Sequence, residues 1–158
     1  MKVITLTEPW ATLVVIGAKL FDTRSWQRAP QGPLLVHAAK GMPGWASETV
    51  KQSGTIQKAL CEYFGTGRID VLRKLDERRG KIIGSATHMA CRRTEDIRDS
   101  LSPQELAFGD YGDGRFAWHL DEPRAHQTFI PVRGALSIWT LPADLETAVL
   151  AAAAEERV

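Results

Sequence analysis

Cysteine is scarce in this chain, with two residues in 158, and neither stands in a CxxC pair or at a spacing that completes a Cys/His metal set. Cys61 falls in an apolar helical stretch (KALCEYF) and Cys91 at the end of a strand-like run (THMACRR), so both read as buried free thiols. Long hydrophobic runs are missing too. Runs such as Ala11 to Ile16 fall far short of the roughly 20 apolar residues that cross a bilayer. The opening MKVITL, followed by Pro9, lacks the apolar core and small-residue cleavage site of a secretory leader. These absences predict a cytoplasmic protein with no membrane partner. Four histidines are scattered without ligand spacing, and there is no Walker loop, dinucleotide fingerprint or nucleophile elbow, so no metal and no cofactor are expected. Gly109, Gly112 and Gly114 precede a strand-like run and read as a turn. A net charge of only +1 argues against binding nucleic acid through bulk charge.

What charge there is, however, is segregated. Between Arg68 and Arg93 eight basic residues face three acidic ones, and from Thr94 to Glu122 eight acidic residues face two basic ones. Such blocks either build one basic face able to contact phosphates or neutralise each other across a solvated surface. The length suits one domain, which at this size buries roughly 68–70% of its unfolded surface.

Residues Lys2 to Leu6 alternate as a strand, and Pro9 then opens a short amphipathic helix with Trp10, Leu13, Val14 and Gly17 at helical spacing. Lys19 to Trp26 reads as extended, which puts Asp22 and Arg24 on one face and Phe21 and Thr23 on the other. LLVHAA is a buried strand ending at Lys40. A helix follows around Trp45 to Lys51, and residues 52–78 form helical pieces that could be an insertion. KIIGSATHMAC is a strand with a bulge at Gly84, and Ser102, Pro103 and Glu105 match a capping box. RFAWHL, TFIPV and ALSIWTL make three further strands, divided by Pro123 and by Arg133–Gly134, and residues 143–158 are a terminal helix. The expected fold is α+β, a small mixed barrel of about six strands with flanking helices, forming a single domain over 1–158 with its core at about 3–142.

The segment from Pro9 to Trp26 carries the most chemistry: a helix end, Lys19, then Asp22 and Arg24 on alternate residues, with Trp10 and Trp26 at its flanks. This composes a charged cleft, or else a surface ion pair worth about 0–1 kcal/mol. Trp10 and Trp26 could stack a base, worth roughly 1–3 kcal/mol in single-strand recognition. His37 sits between apolar neighbours and reads as structural or as a proton carrier. Arg115 could reach a phosphate or pair with Asp110 or Asp113.

Several ordered motifs together resemble one family. They are Pro9-Trp10, Gly17-x-Lys19-x-x-Asp22-x-Arg24, Gly32-Pro33 through Lys40, Gly80-x-Ile82-Ile83-Gly84, Gly114 through Trp118, and Pro131-Val132-Arg133-Gly134 with Trp139. The set is similar to the ASCH domains of the PUA-like superfamily. That resemblance implies a β-barrel with a cleft beside its first helix, RNA or a nucleotide-like small molecule as partner, and a role in RNA processing or metabolism. DNA stays open as a partner, and nothing in the pattern sets the oligomeric state. The implied ligand-binding set is Trp10, Lys19, Asp22, Arg24, Trp26, His37, Lys40 and Arg115.

Two enzymatic alternatives come with the same resemblance. Some ASCH proteins are associated with ribonuclease activity, and a related bacterial branch hydrolyses N4-acetylcytidine. Either would be metal-independent, with Lys19 and Asp22 as the catalytic pair. The chain departs from the family at Asp22, where a glutamate is usual, and from the hydrolase branch, which carries threonine there. Thr23 should face away from that position, and Glu105 is a candidate for the second carboxylate.

Overall fold

A computed structural model of the chain describes residues 1–28 and 30–155. Strand β1 (Lys2–Leu6) sends Ile4 and Leu6 to one side and Val3 to the other, and all three are buried because both faces of the sheet are covered there. Helix α1 (Trp10–Val15) packs Ala11, Val14 and Val15 against the sheet. Strands β2 (Phe21–Arg24), β3 (Gly32–Ala38), β4 (Lys81–Arg93), β5 (Phe116–Pro131) and β6 (Ile138–Thr140) complete a six-stranded sheet in the order β2-β5-β4-β3-β1-β6. Only β1 and β3 run parallel, and the sheet curls into a half-barrel with β2 and β6 as its ends. The α+β class and the six strands agree with the sequence reading.

Helices α2 (Gly44–Gln52), α3 (Gly54–Phe64) and α4 (Arg68–Asp76) occupy the stretch between β3 and β4. They enclose a second apolar cluster around Val50, Ile56, Leu60, Val71 and Leu75, into which α1 sends Leu13. This layer covers the outer side of α1, so the helix that reads as amphipathic from its spacing is buried on both sides. Beyond β4 lie α5 (Thr94–Ile97) and α6 (Pro103–Phe108), and after β6 comes α7 (Glu146–Ala154), which packs Val149 with Val3, Leu35 and Ile82. The expected terminal helix thus ends in the described chain at Ala154, and residues 156–158 lie outside the described residues.

Pro123 does not divide two strands. Strand β5 runs through it for 16 residues. The chain accommodates the proline at an irregularity, where Glu122 has φ 50° and the β4–β5 register shifts between Ser85 and Thr87. Gly84 sits at another such shift, and a methyl group there would lie 2.2 Å from the Arg124 carbonyl and 2.7 Å from Val15 Cγ1. The glycine lets α1 rest directly on the sheet. Both cysteines are free and half-buried, whereas the sequence reading put them in the core. Most of the ion pairs that the two charged blocks make fall within a block, and each block keeps an excess of its own sign. Arg73 pairs with Asp70 and Glu77, Arg79 with Asp76, Arg98 with Asp113 and Arg115 with Asp110, while Arg93–Glu95 joins the two blocks. Among the described residues no helix is long and apolar enough to cross a membrane.

Glu8 is fully buried at the start of α1, where it accepts from the Thr12 backbone N–H (3.1 Å) and hydroxyl (2.8 Å). Burial pushes its carboxyl up from 4.5 to about 7, against the opposing pull of the Thr12 hydrogen bonds and of Arg78 and Arg79. A raised carboxyl favours the protonated fold, so its stabilising effect is complete below pH 4.5 and is lost as pH climbs through about 7. The difference is about 3 kcal/mol. Glu8→Gln keeps the shape, its amide oxygen accepting from the Thr12 N–H and its amide nitrogen donating to the Thr12 hydroxyl, so urea unfolding at pH 5 and pH 8 should show a smaller loss for the variant than for the wild type. Equal losses would show that Glu8 does not carry the effect.

Candidate functional site

A cleft of about 770 Å³ opens where the end of β1, Asp22 to Arg24 of β2 and the segment before β6 meet. Of the residues singled out from the sequence, Trp10, Lys19, Asp22, Arg24, Trp26 and Arg115 line it. Their convergence follows from local structure. Gly17, at φ 79°, ends α1 and turns the chain so that Lys19 enters the interior before β2 begins. Alternation along β2 then sets Asp22 and Arg24 together, with a 2.7 Å contact from Arg24 Nε to Asp22 Oδ2.

Lys19 is only 2% exposed. Its ammonium donates to the Phe108 carbonyl at 3.0 Å, the same oxygen that receives the Trp10 indole N–H at 2.8 Å. An ammonium has three N–H donors and this is its one hydrogen bond to a described residue, so two remain for whatever enters the cleft. Burial pulls the Lys19 pKa down, partly offset by the charges of Asp22 and Glu105. Gly109 lies so close that a methyl group there would come within 2.9 Å of Tyr111 and 3.2 Å of Lys19 Nζ.

Glu105 is buried, and its oxygens accept from the backbone N–H groups of Leu20 (3.0 Å) and Phe21 (3.1 Å) and from the Tyr111 hydroxyl (2.9 Å). Burial, reinforced by Glu105, raises the Tyr111 pKa and keeps the phenol a donor. The expected capping box is therefore half formed. Ser102 accepts from the Glu105 N–H at 3.1 Å, but the carboxylate reaches across to the start of β2 instead of back to its own helix. Glu105 fixes the strand that carries Asp22 and Arg24, and it stands outside the cleft lining.

Arg24 also reaches the Thr5 carbonyl at 3.4 Å and lies over the Trp118 ring at 5.3 Å. Trp118 and Trp26 meet edge to face at 4.5 Å, with Trp118 in the core and Trp26 39% exposed. Arg115 donates to the carbonyls of Asp110 (3.2 Å) and Thr23 (3.0 Å) and pairs with the Asp110 carboxylate, the outcome closest to the surface-pair reading.

His37 and Lys40 line a neighbouring cavity rather than this cleft. His37 is 1% exposed, with Nε2 3.0 Å from the Val132 carbonyl and Nδ1 3.3 Å from the Thr5 hydroxyl. A carbonyl can only accept, so Nε2 carries the proton and Nδ1 accepts from Thr5. The Thr5 oxygen in turn takes the Trp139 indole N–H at 2.9 Å. Burial lowers the His37 pKa, against the opposing pull of the Val132 and Gly80 carbonyls, and the relay gives the ring a structural role.

Sequence reasoning missed Trp45, which is 62% exposed, lines the cleft and tilts against Trp10 with centroids 5.5 Å apart. A signal was available, because Ala46 and Val50 mark the buried side of α2 at a spacing of four and Trp45 falls off that side. Among the described residues no group of three His, Cys, Asp or Glu side chains could hold a metal ion.

The sequence matches no protein-family model and no curated protein. Solved structures do match. The ASCH protein of Zymomonas mobilis aligns over 95% of this chain and 93% of its own, with a TM-score of 0.54 and 14% identity. A serine-to-alanine variant of that protein aligns with TM-score 0.53 and 14% identity over 95% and 94%. A tyrosine-to-phenylalanine variant gives 0.53 and 13% over 95% and 96%. The fold is ASCH-like. At these identities the likeness speaks for architecture alone.

Proposed function

We propose that this ASCH-like domain binds RNA, or a nucleotide-like ligand, in the cleft over Lys19. The observation that carries the reading is a desolvated ammonium with free donors at the floor of a cleft rimmed by exposed indoles, Trp26 and Trp45. Exposed aromatics at a polar cleft offer stacking surfaces for bases, and the ammonium and the Asp22–Arg24 pair offer donors and acceptors to base edges. DNA remains an alternative form of the same chemistry. A hydrolytic role would need a free base. The Glu105 oxygens are occupied by three donors and Asp22 is bound to Arg24, which favours binding over turnover.

Titration with single-stranded RNA should quench the tryptophan fluorescence, and Trp45→Ala should weaken binding by roughly 5- to 150-fold, the equivalent of one lost base stack. Unchanged affinity in Trp45→Ala would remove the indole rim from the site.

A further inference from the structure

The cleft is the middle one of three adjoining cavities. It shares Thr5, Ala39 and Leu136 with a cavity of about 850 Å³, and Trp26 and Ser137 with another of about 680 Å³. The outer two differ from the middle in charge. One is lined by Lys40, Arg79, Lys81 and Arg133, the other by Lys2 and Arg28, and no described carboxylate lines either. In the middle, Asp22 offsets Arg24 and Asp110 offsets Arg115.

We propose that the two outer cavities are phosphate subsites, so that the ligand is a single-stranded oligonucleotide whose central nucleotide occupies the Lys19 cleft. This rests on the reading of that cleft given above and adds the ligand's length and path. A nearly neutral centre rich in donors and acceptors suits a base, and carboxylate-free basic flanks suit the phosphates on either side of it. The cations of the larger flank are held in place yet keep most of their charge. Lys81 donates to the Glu77 carbonyl (2.7 Å) and Arg79 to the Lys40 carbonyl (2.6 Å), although Arg79 also pairs with Asp76. Arg133 makes no ion pair with any described residue. His37, neutral at the wall, adds no competing charge. Each partition also carries an exposed apolar side chain, Leu136 (93% exposed) on one side and Trp26 (39%) on the other, placed to pack against bases as a strand passes over them.

The test compares wild type, Arg133→Gln/Lys81→Gln and Lys19→Met. Each is titrated with nucleosides, which carry no phosphate, and with RNA oligomers of about eight nucleotides, a length within the usual site size for one small domain. Circular dichroism confirms that each variant is folded. The double variant should bind the oligomer about tenfold more weakly and reduce the salt slope by roughly 1.4, or 0.7 for each phosphate left without its cation, with nucleoside affinity unchanged. Lys19→Met should weaken both ligands. An unchanged oligomer affinity and salt slope in the double variant would overturn the flanking subsites while leaving the central cleft standing. So would equal weakening of both ligands, or equal wild-type affinity for a duplex of the same sequence. No effect of Lys19→Met on either ligand would overturn the central reading, and with it the strand path.

Discussion

Glu105→Ala is expected to destabilise the protein by about 3–5 kcal/mol, because it strips the acceptor from three donors at once, each costing about 1–3 kcal/mol when left unsatisfied in a buried place. Those donors are the backbone N–H groups that begin β2 and the Tyr111 hydroxyl. Water will reach the partly exposed Leu20 amide, which keeps the sum below its upper bound. Denaturation in urea gives the measurement directly through the midpoint at constant slope. Glu105→Gln keeps one acceptor oxygen and should lose less than the alanine variant. If the alanine variant unfolds at the wild-type urea concentration, Glu105 does not anchor β2. The same carboxylate also holds the strand that carries Asp22 and Arg24, so the surviving folded fraction of Glu105→Ala should bind RNA poorly although Glu105 itself does not line the cleft.

The second large effect is expected at Lys19. Removing one partner of a buried charged contact typically costs about 2–5 kcal/mol of binding, so Lys19→Met should weaken RNA affinity by about 30-fold or more. Stability should move the other way or not at all, because methionine fills similar space without the cost of burying an ammonium. The pair of readouts separates a ligand-binding lysine from a structural one. A Lys19→Met protein that binds RNA normally but melts early would mean that the ammonium serves the fold alone. Since burial lowers the Lys19 pKa, wild-type affinity should also fall with rising pH before an ordinary lysine would deprotonate, and Lys19→Met should lack that component.

Local periodicity made much of this architecture legible. The alternation at Lys2–Leu6 and at Phe21–Arg24 gives strands, and placing Asp22 beside Arg24 follows from a period of two alone. What escaped was set by distant neighbours. Pro123 carries a strong breaking signal, and only the bulged pairing with β4 shows why β5 continues through it. Ser102 and Glu105 match a local cap, yet the carboxylate finds donors more than 80 residues away in sequence, at Leu20 and Phe21. Leu13 reads as part of a short amphipathic helix, and only the layer of α2, α3 and α4 shows that its side of that helix is covered as well. His37 and Lys40 follow the same strand that leads toward the cleft, but the side-chain relay through Thr5 turns His37 to the adjoining cavity. The basic block from Arg68 to Arg93 could not be divided in advance, because local ion pairs decide which of its charges are spent.

The two end strands of the sheet, β2 and β6, never ladder with one another, and the cleft lies along that gap. Thr5 to Thr7 and Ser137 form one bank, and Asp22 to Trp26 form the other, crossed by the contact from Arg24 to the Thr5 carbonyl. A cylinder slit along its length resists bending less at the slit than elsewhere, and this one is clasped there by a guanidinium rather than by a run of backbone bonds. An occupant touching both banks would share the clasp's mechanical task, so the width of the slit and the presence of a guest would be governed by one set of contacts.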